Sequence, residues 1–346
     1  MPAAGAAVPA ATGADAGATA TVAKNPAPRS GIALILPAKS SAFGRAGEIA
    51  RQGFMAARAI AMDKSEVRIF ETDGTGASAR VAFEQALAGN VGVIVGPLTR
   101  AEVSGIVKLA VSVPTLMLNT PDGEAALPPN VYALSLGIEP EARSAAAAVY
   151  RPDAGTAVVV TSGSPLARRA ATAFADAWVK LGGGVKETVE FTGSVSRVRQ
   201  AVERARADVV FLSADAERAR LLRPYLGRNA VVIATSQVFA GAQRPGAQKQ
   251  HDLNGLRFVD MPWLHQPDHA ATMVFPRPET ALAADLERLY ALGIDAYRIA
   301  AELARARTEF TVDGVTGTLT VRAGVILREP LQLEYRDGAV ALSPAR

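Results

Sequence analysis

From residue 31 onward, short apolar runs alternate with longer segments whose apolar residues recur at helical spacing. The run G-I-A-L-I-L, residues 31–36, has the length of a buried strand and contains no polar side chain. In the segment that follows, Ile49, Gly53, Phe54 and Ala57 fall on one face of a helix. The patterned region therefore begins with a strand followed by a helix.

This strand and helix alternation runs twice along the chain. Apolar runs joined by helices of crossover length predict parallel sheets that helices cover on both faces. We therefore predict an α/β protein with two doubly wound lobes and a cleft between them. The predicted strands are residues 31–36, 67–72, 91–95, 114–118 and 131–135 in the first series, and 156–161, 185–191, 208–213 and 230–235 in the second. The predicted helices are residues 45–60, 77–88, 99–111, one starting near 139, 165–181, 195–205, 215–226 and 279–306.

The segment L-N-G-L-R-F-V-D-M-P-W-L, residues 253–264, departs from this pattern because a strand-like run ends in an acid, a proline and a tryptophan. It follows the last predicted strand of the second lobe and precedes the predicted helix 279–306. We predict that it returns the chain to the first lobe. Leu256 and Phe258 would pack on the second sheet, and Pro262 would end the strand because proline has no N–H to donate.

In this hypothesis the end of the segment forms part of a hinge. Asp260 would lie at the cleft, and Trp263 would hold the returning chain against the first lobe. The predicted division is residues 31–136 plus 262–308 for lobe 1 and residues 137–261 plus 309–346 for lobe 2. Residues 1–30 are nearly all Ala, Gly, Pro and Thr without apolar periodicity, so we predict a disordered leader or linker.

Composition limits the classes of function. The chain has no cysteine, which excludes disulfides, thiolate metal sites and lipidation of a cysteine in this chain. No segment reaches the roughly 18 to 20 consecutive apolar residues of a spanning helix. Residues 151–260 carry 16 Lys and Arg against 10 Asp and Glu, an excess that suits either solvated helix faces or an anionic partner. Without an aromatic-rich basic motif, nucleic-acid binding is not predicted.

Candidate ligand contacts follow from the predicted sheets, because ligands of open α/β sheets bind outside the carboxyl ends of the strands. Short hydroxyl and amide side chains at these ends suit a small polar ligand, and they are equally suited to cap helices. Both interpretations stay open. The candidates are Ser40, Ser41, Pro97, Leu98, Thr99, Asn119, Thr120, Ser162, Ser213, Ser236 and Asp260.

Catalysis, a metal site and a cofactor are not predicted. The chain lacks the nucleophile elbow, the phosphate-binding loops, the dinucleotide fingerprint and the helical zinc motif. His265 and His269 are four residues apart, but Pro267 between them disfavours a helical metal pair, so we expect both histidines on an exposed loop. Glu139 and Glu141 are expected to favour the dipole at the start of a helix.

Seven segments in a fixed order resemble the C-terminal domain of the LppC/LpoA family, the lipoproteins that activate a bifunctional penicillin-binding protein. The pair D-M-P-W and L-Y-A-L-G-I-D-A is the most specific part. Together the segments run from about residue 31 to the end of the chain. The segments are residues 43–57, 95–98, 118–121, 253–264, 288–297, 314–321 and 328–338.

The resemblance implies the type I periplasmic-binding-protein fold, with two Rossmann-like lobes joined by three chain crossings. It also implies a periplasmic, non-enzymatic protein that contacts a class A penicillin-binding protein and raises its transpeptidase activity. The lipidated cysteine that anchors family members to the outer membrane and the helical-repeat half that precedes this domain are both absent from the sequence.

The alternative is a periplasmic receptor that delivers an amino acid or similar molecule to a transporter. Receptors of this fold carry a Ser, Ala and Thr-rich cradle at the ends of the third and fourth strands. Residues 97–100, P-L-T-R, and 118–120, L-N-T, match it only in part. The sequence therefore favours the activator.

Overall fold

The first five strands form a parallel sheet in the order β2-β1-β3-β4-β5. In this computed structural model of the chain, the described residues are 29–109, 112–123, 126–153, 155–227, 229–241 and 249–344. Residues 1–28 of the predicted leader lie outside them. The strands are β1 (Ile32–Leu36), β2 (Val67–Glu71), β3 (Val93–Val95), β4 (Thr115–Met117) and β5 (Val131–Ala133), and the helices between them are α1 (Gly44–Ile60), α2 (Gly76–Ala88) and α3 (Arg100–Ile106).

Helices cover both faces of this first sheet, as the apolar runs predict. In β1, Leu34 belongs to the core beneath α1, whereas Ala33 and Ile35 belong to the core beneath α2 and α3. Successive side chains of a strand point to opposite faces, so a strand buried on both faces needs an unbroken apolar run. The unbroken apolar run of β1 therefore agrees with its burial on both faces.

The second sheet has five parallel strands in the order β10-β9-β8-β6-β7. Its two faces again have separate cores: Val158 packs with Leu256 and Phe258 on one face, while Val159 packs with Val259 on the other. The strands are β6 (Thr156–Thr161), β7 (Gly184–Glu190), β8 (Val209–Ser213), β9 (Val231–Ala234) and β10 (Leu256–Asp260). The helices are α4 (Ile138–Val149), α5 (Pro165–Lys180), α6 (Val195–Ala205) and α7 (Ala216–Leu222), with short 3-10 turns at Arg223–Tyr225, Ser236–Val238 and His251–Leu253.

The chain then returns to the first sheet, as predicted for residues 253–264. Leu256 and Phe258 lie in the core of the second sheet, and Met261 and Trp263 lie in the core of the first. Pro262 begins a short helix, which a proline can do because the first helical N–H needs no partner. The helices of this region are α8 (Pro262–His265), α9 (Ala270–Met273) and α10 (Ala284–Ala304).

A three-stranded antiparallel sheet follows, which the sequence did not predict as strands. It has the order β11-β12-β13, with β11 (Phe310–Gly314), β12 (Gly317–Arg322) and β13 (Val325–Glu329). Its buried side chains, among them Val312 and Leu319, belong to the core of the first sheet. The chain then enters the second sheet through β14 (Leu331–Arg336), which runs antiparallel to β10, and β15 (Ala339–Leu342). The predicted lobe boundary at residue 309 stays a prediction, and this packing favours a third crossing near residue 330.

The long helix α10 lies against α1, and two glycines set the distance between them. A Cβ atom on Gly53 would lie 1.9 Å from the carbonyl oxygen of Tyr290, and one on Gly293 would lie 2.0 Å from the carbonyl oxygen of Ala50. Heavy atoms that are not bonded cannot approach so closely. The two backbones therefore touch at a place where any side chain would force the helices apart.

We expect Gly293→Ala to lower the free energy of unfolding by about 2 kcal/mol or more, because overpacking a close contact outweighs the better helix propensity of alanine. Urea unfolding followed by circular dichroism measures the change. Gly155→Ala is the matched control, because a Cβ there meets no atom within 4 Å. Equal stability of the two variants would contradict the close helix contact.

Candidate functional site

The candidate residues at the first strand ends make mainly local hydrogen bonds. Ser40 Oγ accepts a hydrogen bond of 3.2 Å from the backbone N–H of Phe43, and Ser41 is exposed. Thr99 forms a capping box at the start of α3. Its Oγ1 accepts from the N–H of Glu102, and Glu102 Oε2 accepts from the N–H of Thr99. Helix capping therefore already uses the hydroxyl of Thr99, whereas Ser40 binds within its own loop.

Asn119 joins three strand ends of the same sheet. Its Nδ2 donates to the carbonyl oxygen of Leu98 at 3.1 Å, and its Oδ1 accepts from Ser135 Oγ at 3.3 Å and from the N–H of Thr120 at 3.0 Å. Pro97 and Leu98 are buried. The amide of Asn119 thus fixes the loops that carry these candidates.

In the second lobe, the strand ends surround a cavity of about 50 Å³. Ser162, Ser213 and Thr235 line it, and Ser213 Oγ donates to the carbonyl oxygen of Ala167 at 2.8 Å. All its lining residues lie between residues 138 and 237. The structure therefore brings Ser162 and Ser213 together, without the candidates from the first sheet. The volume of this cavity is far below the roughly 300 to 1,000 Å³ of pockets that hold drug-sized ligands.

Glu139 connects the two lobes at the surface. It lies in the first turn of α4 and pairs with Arg169 of α5 and, at 3.1 Å, with Arg100 at the start of α3. Burial alone would raise the pKa of the Glu139 carboxyl. The hydrogen bond from Arg169 and the charge of Arg100 outweigh burial, and the net effect is a lowered pKa. The carboxylate stays charged between two arginines from different lobes.

Asp260, the last residue of β10, is 1% exposed, and both of its carboxylate oxygens are bonded. Arg288 of α10 donates to it through Nε at 3.1 Å and Nη2 at 2.8 Å. His265 Nε2 lies 3.0 Å from Oδ2, and the N–H of Met261 donates to Oδ1 at 2.9 Å. A forked arginine contact of this kind holds a carboxylate at two points.

Arg288 also reaches the segment after β9. Its Nη2 donates to the carbonyl oxygens of Ser236, at 3.0 Å, and Phe239, at 3.2 Å. Its Nη1 donates to Asp285 at 2.8 Å. The guanidinium of Arg288, on a helix of the first lobe, therefore binds two segments of the second lobe: the end of β10 and the segment after β9.

Glu141 of α4 continues the chain of contacts. Its Oε2 accepts from the N–H of Ser236 at 3.2 Å and from Ser236 Oγ at 2.7 Å. Its Oε1 accepts from Arg328 Nη2 at 3.2 Å, and Arg328 Nη1 donates to the carbonyl oxygen of Thr316 at 3.2 Å. Glu141 thus links the first crossing to the third.

Asp295 of α10 joins these contacts at Thr316, and Arg298 Nη1 donates to its Oδ1 at 3.3 Å. Its Oδ2 accepts from the N–H of Thr316 at 2.8 Å and from Thr316 Oγ1 at 2.7 Å, and its Oδ1 accepts from the N–H of Val315 at 3.1 Å. We call the connected set the hinge network. Its members are Glu141, Ser236, Asp260, His265, Arg288, Asp295, Thr316 and Arg328.

The carboxyl groups of the hinge network differ in pKa. Burial alone would raise the pKa of Asp260. The charges and hydrogen bonds of Arg288 and His265 outweigh the effect of burial and lower this pKa to about 2. At Glu141 burial prevails over the charge of Arg328, and the pKa is raised. Burial likewise raises the pKa of Asp295. Asp260 is therefore the carboxylate that the network holds most firmly in its charged form.

One expectation about these residues was wrong. The His265 side chain is only 5% exposed and lies beside Phe239 and Phe258, because Asp260 binds its ring nitrogen. Glu141 lies in the first turn of α4, as expected, but it is also 3% exposed and pairs with Arg328, which the sequence did not predict. The sequence held one signal for such a network: Arg288 and Asp295 are charged residues two helical turns apart in an otherwise apolar segment.

Ser236 and Asp260 were predicted as ligand contacts, and that assignment stays a prediction. Their buried positions in the hinge network do not favour it. Within the described parts of the chain, no group of three or more His, Cys, Asp and Glu side chains is arranged to hold a metal ion. Over the same residues, no helix has both the length and the apolar character to cross a membrane.

Comparison with known proteins identifies the chain's relatives. A model of the family described as "LppC putative lipoprotein" matches residues 7–338. The "Penicillin-binding protein activator LpoA" of Edwardsiella piscicida is 27% identical over 324 residues, which cover 80% of this chain and 46% of that protein. The protein of the same description from Yersinia pseudotuberculosis serotype O:1b (strain IP 31758) is 25% identical, covering 80% and 49%. The chain spans about half the length of these relatives.

Solved structures confirm the predicted two-lobed α/β fold. The "LpoA (YraM) C-domain from Haemophilus influenzae, a regulator of PBP1A" superposes with a TM-score of 0.74 at 22% identity, covering 90% of this chain and 99% of that chain. A protein of Chromobacterium violaceum ATCC 12472, described as "a putative branched-chain amino acid ABC transporter", has a TM-score of 0.73 at 36% identity, covering 87% and 98%. The fold is thus shared by a protein described as a regulator of PBP1A and by one described as a putative ABC transporter.

We expect Asp260→Asn to lower the free energy of unfolding by about 3 to 5 kcal/mol at pH 7, because Arg288 would lose its buried carboxylate partner and keep only the exposed Asp285. The folded pKa of Asp260 is below the unfolded value of 3.8, so its contribution is present above that value. The difference between the wild type and the variant should therefore shrink as the pH falls from about 4 towards 2.

Urea unfolding at pH 7, 4 and 2.5 measures this difference. Asp268→Asn is the control, because Asp268 is exposed and the same substitution there should change stability by no more than about 0.5 kcal/mol. A cost at Asp260 equal to that at Asp268, or one independent of pH, would contradict the paired state of Asp260.

Proposed function

The chain belongs to the LppC family, and on that premise we propose that it is a non-enzymatic periplasmic regulator that binds a class A penicillin-binding protein and stimulates peptidoglycan cross-linking. The match to the Haemophilus influenzae LpoA C-domain carries this proposal, because the chain covers nearly all of that domain. The relatives named penicillin-binding protein activators support it as well.

The hinge network supports an action through surfaces rather than through a closing cleft. Glu141, Asp260 and Arg328 lie beside the three crossings and are paired or hydrogen-bonded across them. A rearrangement that separated such pairs would have to break several ion pairs and hydrogen bonds at once, which opposes it. We therefore propose that the domain presents its outer surface to the synthase in one fixed arrangement of the two lobes.

The Chromobacterium violaceum relative favours a second candidate, a receptor for an amino acid or a similar small polar molecule. The ligand would contact the strand-end candidates, with Thr99 and Asn119 on one lobe and Ser162 and Ser213 on the other. The capping bonds of Thr99, the loop hydrogen bonds of Asn119 and the small cavity beside Ser213 favour the regulator.

We expect the purified protein to retain a class A penicillin-binding protein from the same bacterium in a pull-down and to raise the fraction of cross-linked peptides that the synthase produces. Chromatography of muropeptides measures the cross-linked fraction. Heat-unfolded protein is the control for non-specific effects. Absence of retention together with an unchanged cross-linked fraction would overturn the regulator proposal.

We expect leucine, isoleucine and valine at millimolar concentration to leave the thermal midpoint unchanged within about 1 °C. A ligand present at 100 times its Kd would stabilise the folded state by about 2.7 kcal/mol, which shifts the midpoint by several degrees. Differential scanning fluorimetry measures the midpoint. A shift of that size in the wild type, lost in Asn119→Ala, would favour the receptor instead.

A further inference from the structure

A groove of about 760 Å³ opens between the first sheet and the three-stranded sheet. One wall is β5 with the loop before it, and the other is β13 with the turn before it. The start of α4 forms the third side, where Pro140, Arg143 and Ser144 lie. The groove is separate from the hinge network, apart from Arg328, which reaches from β13 into that network.

Both walls of the groove are edge strands. Within the described residues, β5 pairs with β4 alone and β13 pairs with β12 alone. An edge strand carries a row of backbone N–H and C=O groups that no neighbouring strand uses. An extended peptide can therefore add to such an edge through main-chain hydrogen bonds.

The side chains at the groove are apolar and basic. Val325 and Leu327 of β13 are 54% and 58% exposed, and Leu127 and Pro128 lie on the opposite wall. Exposed aliphatic side chains next to one another on an edge strand mark a site of association. No described lining residue is an acid, although the exposed Glu329 ends β13 just outside the groove, and Arg143 is exposed and forms no ion pair with a described residue. The charge of the groove complements a carboxylate.

We propose that this groove binds an extended segment of the synthase, about four residues long, that adds as a strand to β13. The length follows from the four residues of β13 that line the groove, residues 325–328, which span about 13 Å at 3.3 Å per residue. Apolar side chains of the segment pack against Val325 and Leu327, and an acidic side chain pairs with Arg143. This inference rests on the proposed function, because it names the part of the partner that the domain recognises.

A second copy of this chain is a poorer occupant of the groove. In a symmetric dimer the same surface meets itself, so Arg143 would face an identical basic groove. Like charges brought together across an interface oppose association. The charge pattern therefore favours a partner with an acidic segment.

We expect Leu327→Asp and Arg143→Glu each to weaken binding to the synthase at least about tenfold, because the first places a charge in an apolar contact and the second replaces the cation that pairs with the acidic side chain. The matched controls are Val179→Asp on α5, whose side chain is 59% exposed, and Arg197→Glu on α6. They make the same chemical changes on helices of the other lobe and should bind as the wild type does. Biolayer interferometry with the immobilised synthase measures the Kd.

Cross-linking locates the bound segment directly. The chain has no cysteine, so Leu327→Cys provides a single attachment point for a maleimide photo-cross-linker, with Val179→Cys as the control. Mass spectrometry should map the Leu327→Cys product to one acidic and apolar segment of the synthase. Cross-links to a second copy of this chain, or the same synthase sites from both positions, would overturn the proposal.

The binding data separate the two proposals. If wild-type protein fails to bind the synthase, the proposed function fails. If the wild type binds and Leu327→Asp and Arg143→Glu bind equally well, the regulator proposal stands and the groove is not its docking site. Circular dichroism spectra of the exposed-site variants, equal to that of the wild type, confirm that each variant is folded.

Discussion

The arrangement of the two large sheets depends on one physical constraint: the buried charges at the crossings must be paired. Asp260 binds Arg288, and Glu141 binds Arg328 and Ser236. Each of these groups comes from a different passage of the chain, so pairing them fixes where each passage runs. An unpaired arginine would remain charged in an apolar environment, at a cost of several kcal/mol, and an unpaired carboxyl would have to take up a proton. The cores supply most of the favourable free energy of folding, and the hinge network selects one relation between the lobes.

The residues that pair inside the domain are different from those on the surface that we propose to meet a partner. Gly53 and Gly293 let α1 and α10 touch, which places Arg288 and Asp295 of α10 beside the crossings. The groove between β5 and β13 lies outside this assembly, and its exposed residues Val325, Leu327 and Arg143 are not needed for the internal pairing. A fixed scaffold with an open edge suits a protein that acts by binding a partner.

The spacing of apolar residues predicted most of the parallel strands and helices. It failed for the antiparallel strands near the end of the chain, because these strands are exposed on one face. Buried parallel strands such as β1 and β8 are unbroken apolar runs, so their positions were predicted to within a few residues. The strands from β11 onward were missed, because antiparallel strands with one exposed face alternate polar and apolar residues, as β11 does. The segments that carried the family resemblance include Asp260, Arg288, Asp295, Thr316 and Arg328, all members of the hinge network. The sequence marked these residues without showing that they meet.

The sequence by itself determined the two series of strands and helices, the crossing at residues 253–264 and the family resemblance, because these follow from local spacing and residue order. Only the tertiary structure decided that His265 is buried against Asp260, that Glu141 pairs with Arg328 187 positions away, and that two edge strands form one groove. These features join residues that are distant along the chain, and the partner of a charge or of a strand edge depends on how the whole chain packs. Local patterns carry no such information.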